Sequence, residues 1–117
     1  MQCVDVLVAS VPGANRKAFV RHAETAASVF KTNGAVSAHF CWGENVPDGD
    51  VTSLPLAVRC EEGETVVFAW VVWPSEDARA VGMPRAFGDS RMQARYSPIP
   101  YDPVRAVHGM FVPVVEA

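Results

Sequence analysis

Titratable side chains inside otherwise apolar segments are the residues of this sequence most suited to chemistry. Asp5 interrupts a valine-rich N-terminal segment, and Arg105 and His108 lie in a second valine-rich segment near the C-terminus. A carboxylate that orients an imidazole holds a general base in one tautomer, and a neighbouring guanidinium binds anionic groups. Asp5 and His108 are therefore the candidate catalytic pair, with Arg105 as a candidate ligand-binding residue. The alternative is that Asp5 belongs to a structural ion pair.

A second set of candidates is aromatic. Trp42 and Trp70, together with His39, are candidate ligand-binding residues that would line an aromatic pocket. The alternative is that these rings pack in the core and at an interface between copies. His39 and Cys41 would share one face of a strand, about 6.6 Å apart, which is too far for direct proton transfer. We therefore expect an inert thiol beside a histidine.

Metal and cofactor motifs are absent from the sequence. Its three histidines have no paired spacing, and its three cysteines form no C-x-x-C pair. The acidic segment 44–50 lacks the alternating ligand positions and the distal glutamate of a calcium-binding loop. The sequence thus predicts no metal site and no cofactor.

Length and composition restrict the class of protein. A chain of 117 residues with 50% hydrophobic residues predicts one folded domain spanning residues 1–117. The net charge of −3 argues against general nucleic-acid binding. The longest apolar run, residues 66–73, is far shorter than the roughly 20 residues that span a bilayer. With no signal-peptide pattern and only unpaired cysteines, we expect a cytoplasmic protein without a membrane partner.

Hydrophobic periodicity predicts the elements that position these side chains. Apolar alternation indicates strands at residues 3–11, 36–43, 65–73 and 104–115, and a 3.6-residue period indicates a helix from Asn15 to Asn33. A short helical turn is predicted at residues 54–58. Ser75 is the expected cap of a second long helix, which Gly82 and Pro84 should break or kink.

The predicted order of elements is β-α-β-β-α-β. This is the split βαβ or ferredoxin-like arrangement, an α+β fold with one four-stranded antiparallel sheet and both helices on one face. Its first and last strands are neighbours, so Asp5 would face either His108 or Arg105. The sequence does not fix which of the two, because strand register depends on pairing.

The strand at residues 65–73 is apolar on both faces, although the two helices cover only one face of the sheet. Four strands of ordinary spacing and length leave on the order of 400 Å² uncovered. That area is near the upper end of what monomers expose. We therefore expect a homodimer in which two copies meet sheet to sheet.

Three segments of the chain also carry a family resemblance, namely Gly43–Pro55, Glu64–Ser75 and Pro100–Asp102. Through them the chain resembles the YbaA-like family of small bacterial proteins of unknown function, members of the dimeric α+β barrel superfamily. The resemblance implies a dimer whose two sheets form a barrel. It leaves activity open, because the superfamily includes cofactor-free monooxygenases, haem enzymes and modules without known chemistry.

Three functions are compatible with these observations. The first is a barrel dimer that binds a small apolar or aromatic molecule, with or without catalysis. The second is a structural or interaction module whose task is dimerisation. The third is a binder of anions or RNA through the segment 79–105, which holds five arginines and two acidic residues. We expect a second copy and a small molecule as partners; the net charge of −3 disfavours nucleic acid, so RNA is kept only as the alternative.

Overall fold

Four strands and three helices make up the chain in a computed structural model that describes residues 1–117. In chain order they are β1 (Cys3–Pro12), α1 (Arg16–Thr32), β2 (Ser37–Trp42), α2 (Leu54–Ala57), β3 (Glu64–Trp73), α3 (Glu76–Gly88) and β4 (Val107–Phe111). Single 3-10 turns occupy Gly13–Asn15 and Ser90–Met92. The predicted order of strands and long helices is confirmed, and the short helical turn is α2.

The four strands form one antiparallel sheet in the order β2-β3-β1-β4. β1 pairs with β3 along its whole length, from Cys3 opposite Trp73 to Pro12 opposite Glu64. β4 pairs with the other edge of β1, so the first and last strands are neighbours as predicted. This topology is the predicted ferredoxin-like βαββαβ fold of the α+β class.

The main core lies between the sheet and the two long helices. α1 presents an apolar stripe that includes Ala26, Val29 and Phe30, all buried. These side chains pack against Cys3 and Trp73, two residues on facing positions of β1 and β3 that are fully buried. The ring of Phe30 meets that of Trp73 edge to face at 6.2 Å, a favoured aromatic geometry.

α3 runs without a break from Glu76 to Gly88, so the predicted break at Gly82 and Pro84 is not formed. Gly82 is buried because α3 lies directly on the Trp73 ring, and a Cβ there would collide with Trp73 and with the Asn33 carbonyl. Pro84 removes the donor for the carbonyl of Ala80. Since Pro84 and Ala80 are both exposed, water can satisfy that carbonyl. Ser75 caps the helix as predicted, accepting a hydrogen bond from the Ala78 amide at 3.0 Å.

The second face of the sheet is apolar and only partly covered. At one end, Val58 of the connection between β2 and β3 packs on Val8 and Val66 in a small buried cluster. Beyond that cluster the face carries Val4, Val6, Phe68, Trp70 and Val72, none of them fully buried. The prediction that β3 is apolar on both faces is confirmed. We call the uncovered part, centred on Trp70, the open face.

The last strand is shorter than the predicted segment 104–115. A turn precedes it, in which the Asp102 carboxylate accepts a hydrogen bond from the Val104 amide at 2.9 Å. Pro113 lacks an amide donor and cannot continue the ladder after Phe111. None of the helices combines the length and the apolar character that crossing a bilayer requires.

Candidate functional site

Asp5 is fixed by an ion pair and a hydrogen bond on the helix side of the sheet. Its carboxylate accepts hydrogen bonds from Arg79 Nε at 2.8 Å and Arg79 Nη2 at 2.9 Å, and from Trp73 Nε1 at 2.9 Å. The Asp5 side chain is 15% exposed. Both of its oxygens are thus occupied by groups of β3 and α3. Asp5 joins α3 to the sheet, which is the structural alternative considered above.

His108 lies on the same face of the sheet as Asp5 but does not contact it through a hydrogen bond. β4 pairs His108 with Leu7 and Met110 with Asp5, so His108 is diagonal to the carboxylate. No hydrogen bond or ion pair joins the two side chains, and His108 is exposed. The predicted hydrogen-bonded Asp5–His108 pair is therefore not formed, because Arg79 and Trp73 already donate hydrogen bonds to both Asp5 carboxylate oxygens.

Arg105 is also engaged elsewhere, at the opposite end of β1 from Asp5. Its acceptors are Glu64 Oε1 and Oε2 at 2.8 and 2.9 Å, Arg59 O at 2.8 Å, Ser10 Oγ at 3.1 Å and Asp102 Oδ2 at 3.3 Å. Hydrogen bonding from Arg105 lowers the pKa of Glu64 to about 2. Ser10 and Asp5 are five strand residues apart, or about 17 Å. The expectation that Arg105 holds an anion beside Asp5 and His108 is thus wrong.

Trp42 and Trp70 lie on opposite faces of the sheet, so they do not line one pocket. Trp42 is on the helix side, where its ring is 5.6 Å from that of Phe19 and 5.4 Å from the Arg16 guanidinium. The register of β2 on β3 places Trp42 opposite Val67 and His39 opposite Trp70. Because side chains alternate along a strand, an odd separation puts Trp42 and His39 on different faces. Trp42 is half-buried and packs against the core cluster that contains Phe19 and Val67.

His39 and Trp70 do come together, on the open face. Their rings are stacked with centroids 4.5 Å apart and planes inclined by 21°, and the ring of Phe68 is 5.8 Å from that of Trp70. His39 is exposed, and neither ring nitrogen has a hydrogen-bond partner within the chain. We call His39, Phe68 and Trp70 the aromatic platform. It offers an apolar aromatic surface with one polar edge.

Sequence reasoning missed a buried histidine. His22 of α1 is buried, and its Nδ1 is 2.8 Å from the hydroxyl oxygen of Ser97, which is also buried. Burial lowers the pKa of His22. His22 lies three residues after Phe19 and one before Ala23, beside the apolar stripe of α1. That helical spacing is the sequence feature that could have predicted its burial. This hydrogen bond ties the segment between α3 and β4, which contains Pro98, Pro100 and Pro103, to α1.

Two grooves indent the surface away from Asp5. One, of about 440 Å³, lies at the connection between β2 and β3, and five of its twelve lining residues are acidic, among them Glu44, Asp48, Glu61 and Glu62. The other, of about 400 Å³, is lined by Thr25, Ser90, Arg91, Arg95 and Tyr96. No group of three or more histidine, cysteine or acidic side chains is placed to hold a metal ion.

Comparison with known sequences gives a family but no activity. The family described as a protein of unknown function (DUF1428) matches residues 2–103. The chain is 36% identical over 116 residues to the uncharacterized protein YbaA of Escherichia coli (strain K12) and to that of Shigella flexneri, covering 99% of each chain. The resemblance seen in the sequence is confirmed over the whole length.

Comparison with solved structures shows the fold. A dimeric ferredoxin-like protein from an uncultured marine organism has a TM-score of 0.62 at 11% identity, with 99% and 98% of the two chains covered. SnoaB, a cofactor-independent oxygenase from Streptomyces nogalater, has 0.55 at 18% identity, with 98% and 95% covered. Rv0793 from Mycobacterium tuberculosis has 0.55 at 14% identity, with 100% and 99% covered. At these identities the likeness concerns the fold alone.

Proposed function

Since the chain belongs to the DUF1428 family of proteins of unknown function, we propose its function from its own open face: it is a homodimer that binds a small aromatic or apolar molecule at the aromatic platform. Two copies close their sheets against each other into a barrel. Binding, and not catalysis, is proposed, because the Asp5 carboxylate is occupied by Arg79 and Trp73. A cytoplasmic location is part of the same proposal.

The observation that carries the proposal is the stack of His39 on Trp70, 4.5 Å apart and nearly parallel. Small-molecule sites combine apolar and aromatic walls with a few placed polar groups. The platform has this composition, because His39, whose nitrogens have no partner in the chain, stacks on Trp70, and the Phe68 ring lies 5.8 Å from that of Trp70. His39 lies on the edge strand β2, so the polar edge of the platform is toward the side of the sheet, whereas Trp70 and Phe68 lie further in, on β3.

The fold supports both parts of the proposal. One structure of similar fold is described as dimeric and another as a cofactor-independent oxygenase, so the fold is compatible with self-association and with small-molecule chemistry. In this chain the apolar side chains of the open face have no cover, and Val4, Val6 and Val72 extend the apolar surface beside the platform. A second copy would remove this surface from water.

The test of ligand binding is a panel of aromatic acids and quinones, added to the wild-type dimer while tryptophan fluorescence and melting temperature are followed. We expect at least one compound to quench fluorescence and raise the melting temperature. The variant His39→Phe keeps an aromatic ring against Trp70 and removes both nitrogens. It should weaken binding of that compound by about tenfold, the usual cost of one lost hydrogen bond.

Trp42→Phe is the matched control, because Trp42 lies on the same strand but on the helix side of the sheet. It should leave ligand affinity unchanged. Equal losses in His39→Phe and Trp42→Phe would contradict a site at the platform. A wild-type dimer that binds no compound of the panel would favour the other function, a module whose task is dimerisation alone.

A further inference from the structure

A second surface with the chemistry of a binding site lies on the helix side, away from the aromatic platform. It is the groove of about 400 Å³ lined by Thr25, Ser90, Arg91, Arg95 and Tyr96, which we call the arginine groove. Thr25 comes from α1, and the other four residues come from the segment after α3. The buried hydrogen bond between His22 Nδ1 and Ser97 Oγ holds that segment against α1 one helical turn from Thr25.

Each arginine of the groove is held in place, and each has donors free. Arg91 donates through Nε and Nη2 to Asp89 at 3.0 and 2.9 Å, which leaves Nη1 without an acceptor in the chain. Arg95 forms no ion pair, and its guanidinium lies 4.7 Å from the centre of the Tyr96 ring. Stacking of this kind restricts a guanidinium while leaving its edges open. The groove thus presents ordered guanidinium donors.

The remaining lining groups have the same character. The hydroxyls of Thr25 and Ser90 have no hydrogen-bond partner within the chain, and no carboxylate lines the groove. Asp89 lies next to it but is paired with Arg91, and hydrogen bonding from Arg91 lowers the pKa of Asp89 to about 2. Its charge therefore offsets one of the two guanidiniums, and the Arg95 charge is left unbalanced.

We propose that the arginine groove binds the phosphate group of a small molecule, with Arg95 and Arg91 Nη1 donating to the phosphate oxygens. Arginine is suited to this role because its planar fork of donors matches the oxygens of a phosphate. The hydroxyls of Thr25 and Ser90 complete the donor set from two sides of the groove. The site is separate from the aromatic platform, since the sheet lies between the two.

A nucleic-acid strand fits the groove less well than a small phosphate ester. Single strands are bound by basic tracks along the backbone together with aromatic rings on which bases stack. Only one aromatic ring lines the groove, and Arg95 covers one face of it. The chain carries a net charge of −3, so there is no general attraction for a polyanion.

The test is calorimetric titration of the full chain with pyrophosphate at about 0.1 M salt, where charges more than about 10 Å apart are largely screened, in wild type and in two variants. Arg95→Gln should weaken binding by about tenfold or more, because a charge-assisted hydrogen bond is lost. Arg85→Gln is the matched control: it removes the same charge from an exposed position of α3 outside the groove. It should leave the affinity within about twofold, as expected for screened surface charge.

Equal losses in Arg95→Gln and Arg85→Gln would overturn the proposal, because they would show attraction to overall charge. The proposal would be overturned as well if titration of wild type with millimolar pyrophosphate gave no heat of binding. The proposal would also be overturned if a single-stranded RNA oligonucleotide bound far more tightly than pyrophosphate and lost affinity in both Arg95→Gln and Arg85→Gln. Both variants change exposed side chains, and unchanged circular dichroism melts would verify that they fold.

Discussion

At the residue scale, His22 shows how burial changes the behaviour of a single side chain. Its neutral ring is buried on α1 with Nδ1 against the Ser97 hydroxyl, and burial lowers its pKa below the ordinary value of 6.5. The folded protein therefore binds this proton less readily than the unfolded chain does. The stability that the neutral ring contributes is fully present above pH 6.5 and is lost as the pH falls from there through the lower pKa of the folded state.

We expect the wild-type melting temperature to fall by a few degrees between pH 7.5 and pH 5, and His22→Asn to flatten this slope. Asparagine can keep a hydrogen bond to Ser97 but does not titrate. His108→Asn is the control, because His108 is exposed and has no hydrogen-bond partner in the chain. A slope that disappears in His108→Asn and persists in His22→Asn would contradict this assignment.

The site residues show what sequence can and cannot predict at this scale. That Asp5 lies in a strand and needs a partner could be read from its apolar neighbours. Its partner, Arg79, could not, because it lies 74 residues away on a helix whose docking depends on packing. The stack of His39 on Trp70 depends in the same way on the register of β2 against β3.

At the element scale, α3 shows a local rule overridden by packing. Gly82 has low intrinsic helix propensity, which costs about 1 kcal/mol relative to alanine. Its missing side chain lets α3 approach Trp73, whose ring atom Cη2 would be 2.8 Å from a Cβ at this position. The burial of Trp73, fully shielded from solvent, outweighs that cost.

We therefore expect Gly82→Ala to destabilise the protein by about 1–3 kcal/mol, the usual cost of overpacking a core, despite the higher helix propensity of alanine. Gly88→Ala is the matched control in the same helix, since a Cβ at Gly88 would meet no atom within 4 Å. Urea unfolding of both variants measures the difference. Equal or higher stability of Gly82→Ala would show that α3 does not need this close contact.

Elements with a strong period were predictable, and those defined by long-range contacts were not. The apolar stripe of α1 and the alternation of β1 and β3 place these elements within one or two residues of their observed bounds. The end of β4 was misjudged because valines continue to Val115, whereas strand pairing stops where Pro113 offers no amide donor. The packing of Val58, in the connection between β2 and β3, on the sheet could not be predicted either, because no hydrophobic periodicity in the sequence indicates it.

At the scale of the whole molecule, the isolated chain is flatter and more exposed than a compact monomer. Its extents are 39 × 38 × 23 Å, because one layer of helices covers one sheet. It exposes 7506 Å² of surface, whereas a compact monomer of its 12.6 kDa mass exposes about 6,200 Å². A standard interface buries about 800 Å² per partner, so a sheet-to-sheet dimer would remove most of this excess.

The dimer is tested by placing a charge in the middle of the open face. Trp70→Glu puts a carboxylate where two sheets would meet, and an unpaired buried charge costs several kcal/mol. We expect sedimentation of wild type at micromolar concentration to give twice the 12.6 kDa chain mass, and Trp70→Glu to give monomers or aggregates. Val81→Glu is the control, since Val81 is 54% exposed on α3, away from that face. It should sediment as wild type does, because its carboxylate stays in water. Wild type that sediments at the single-chain mass would refute the barrel, and the open face would then need another cover.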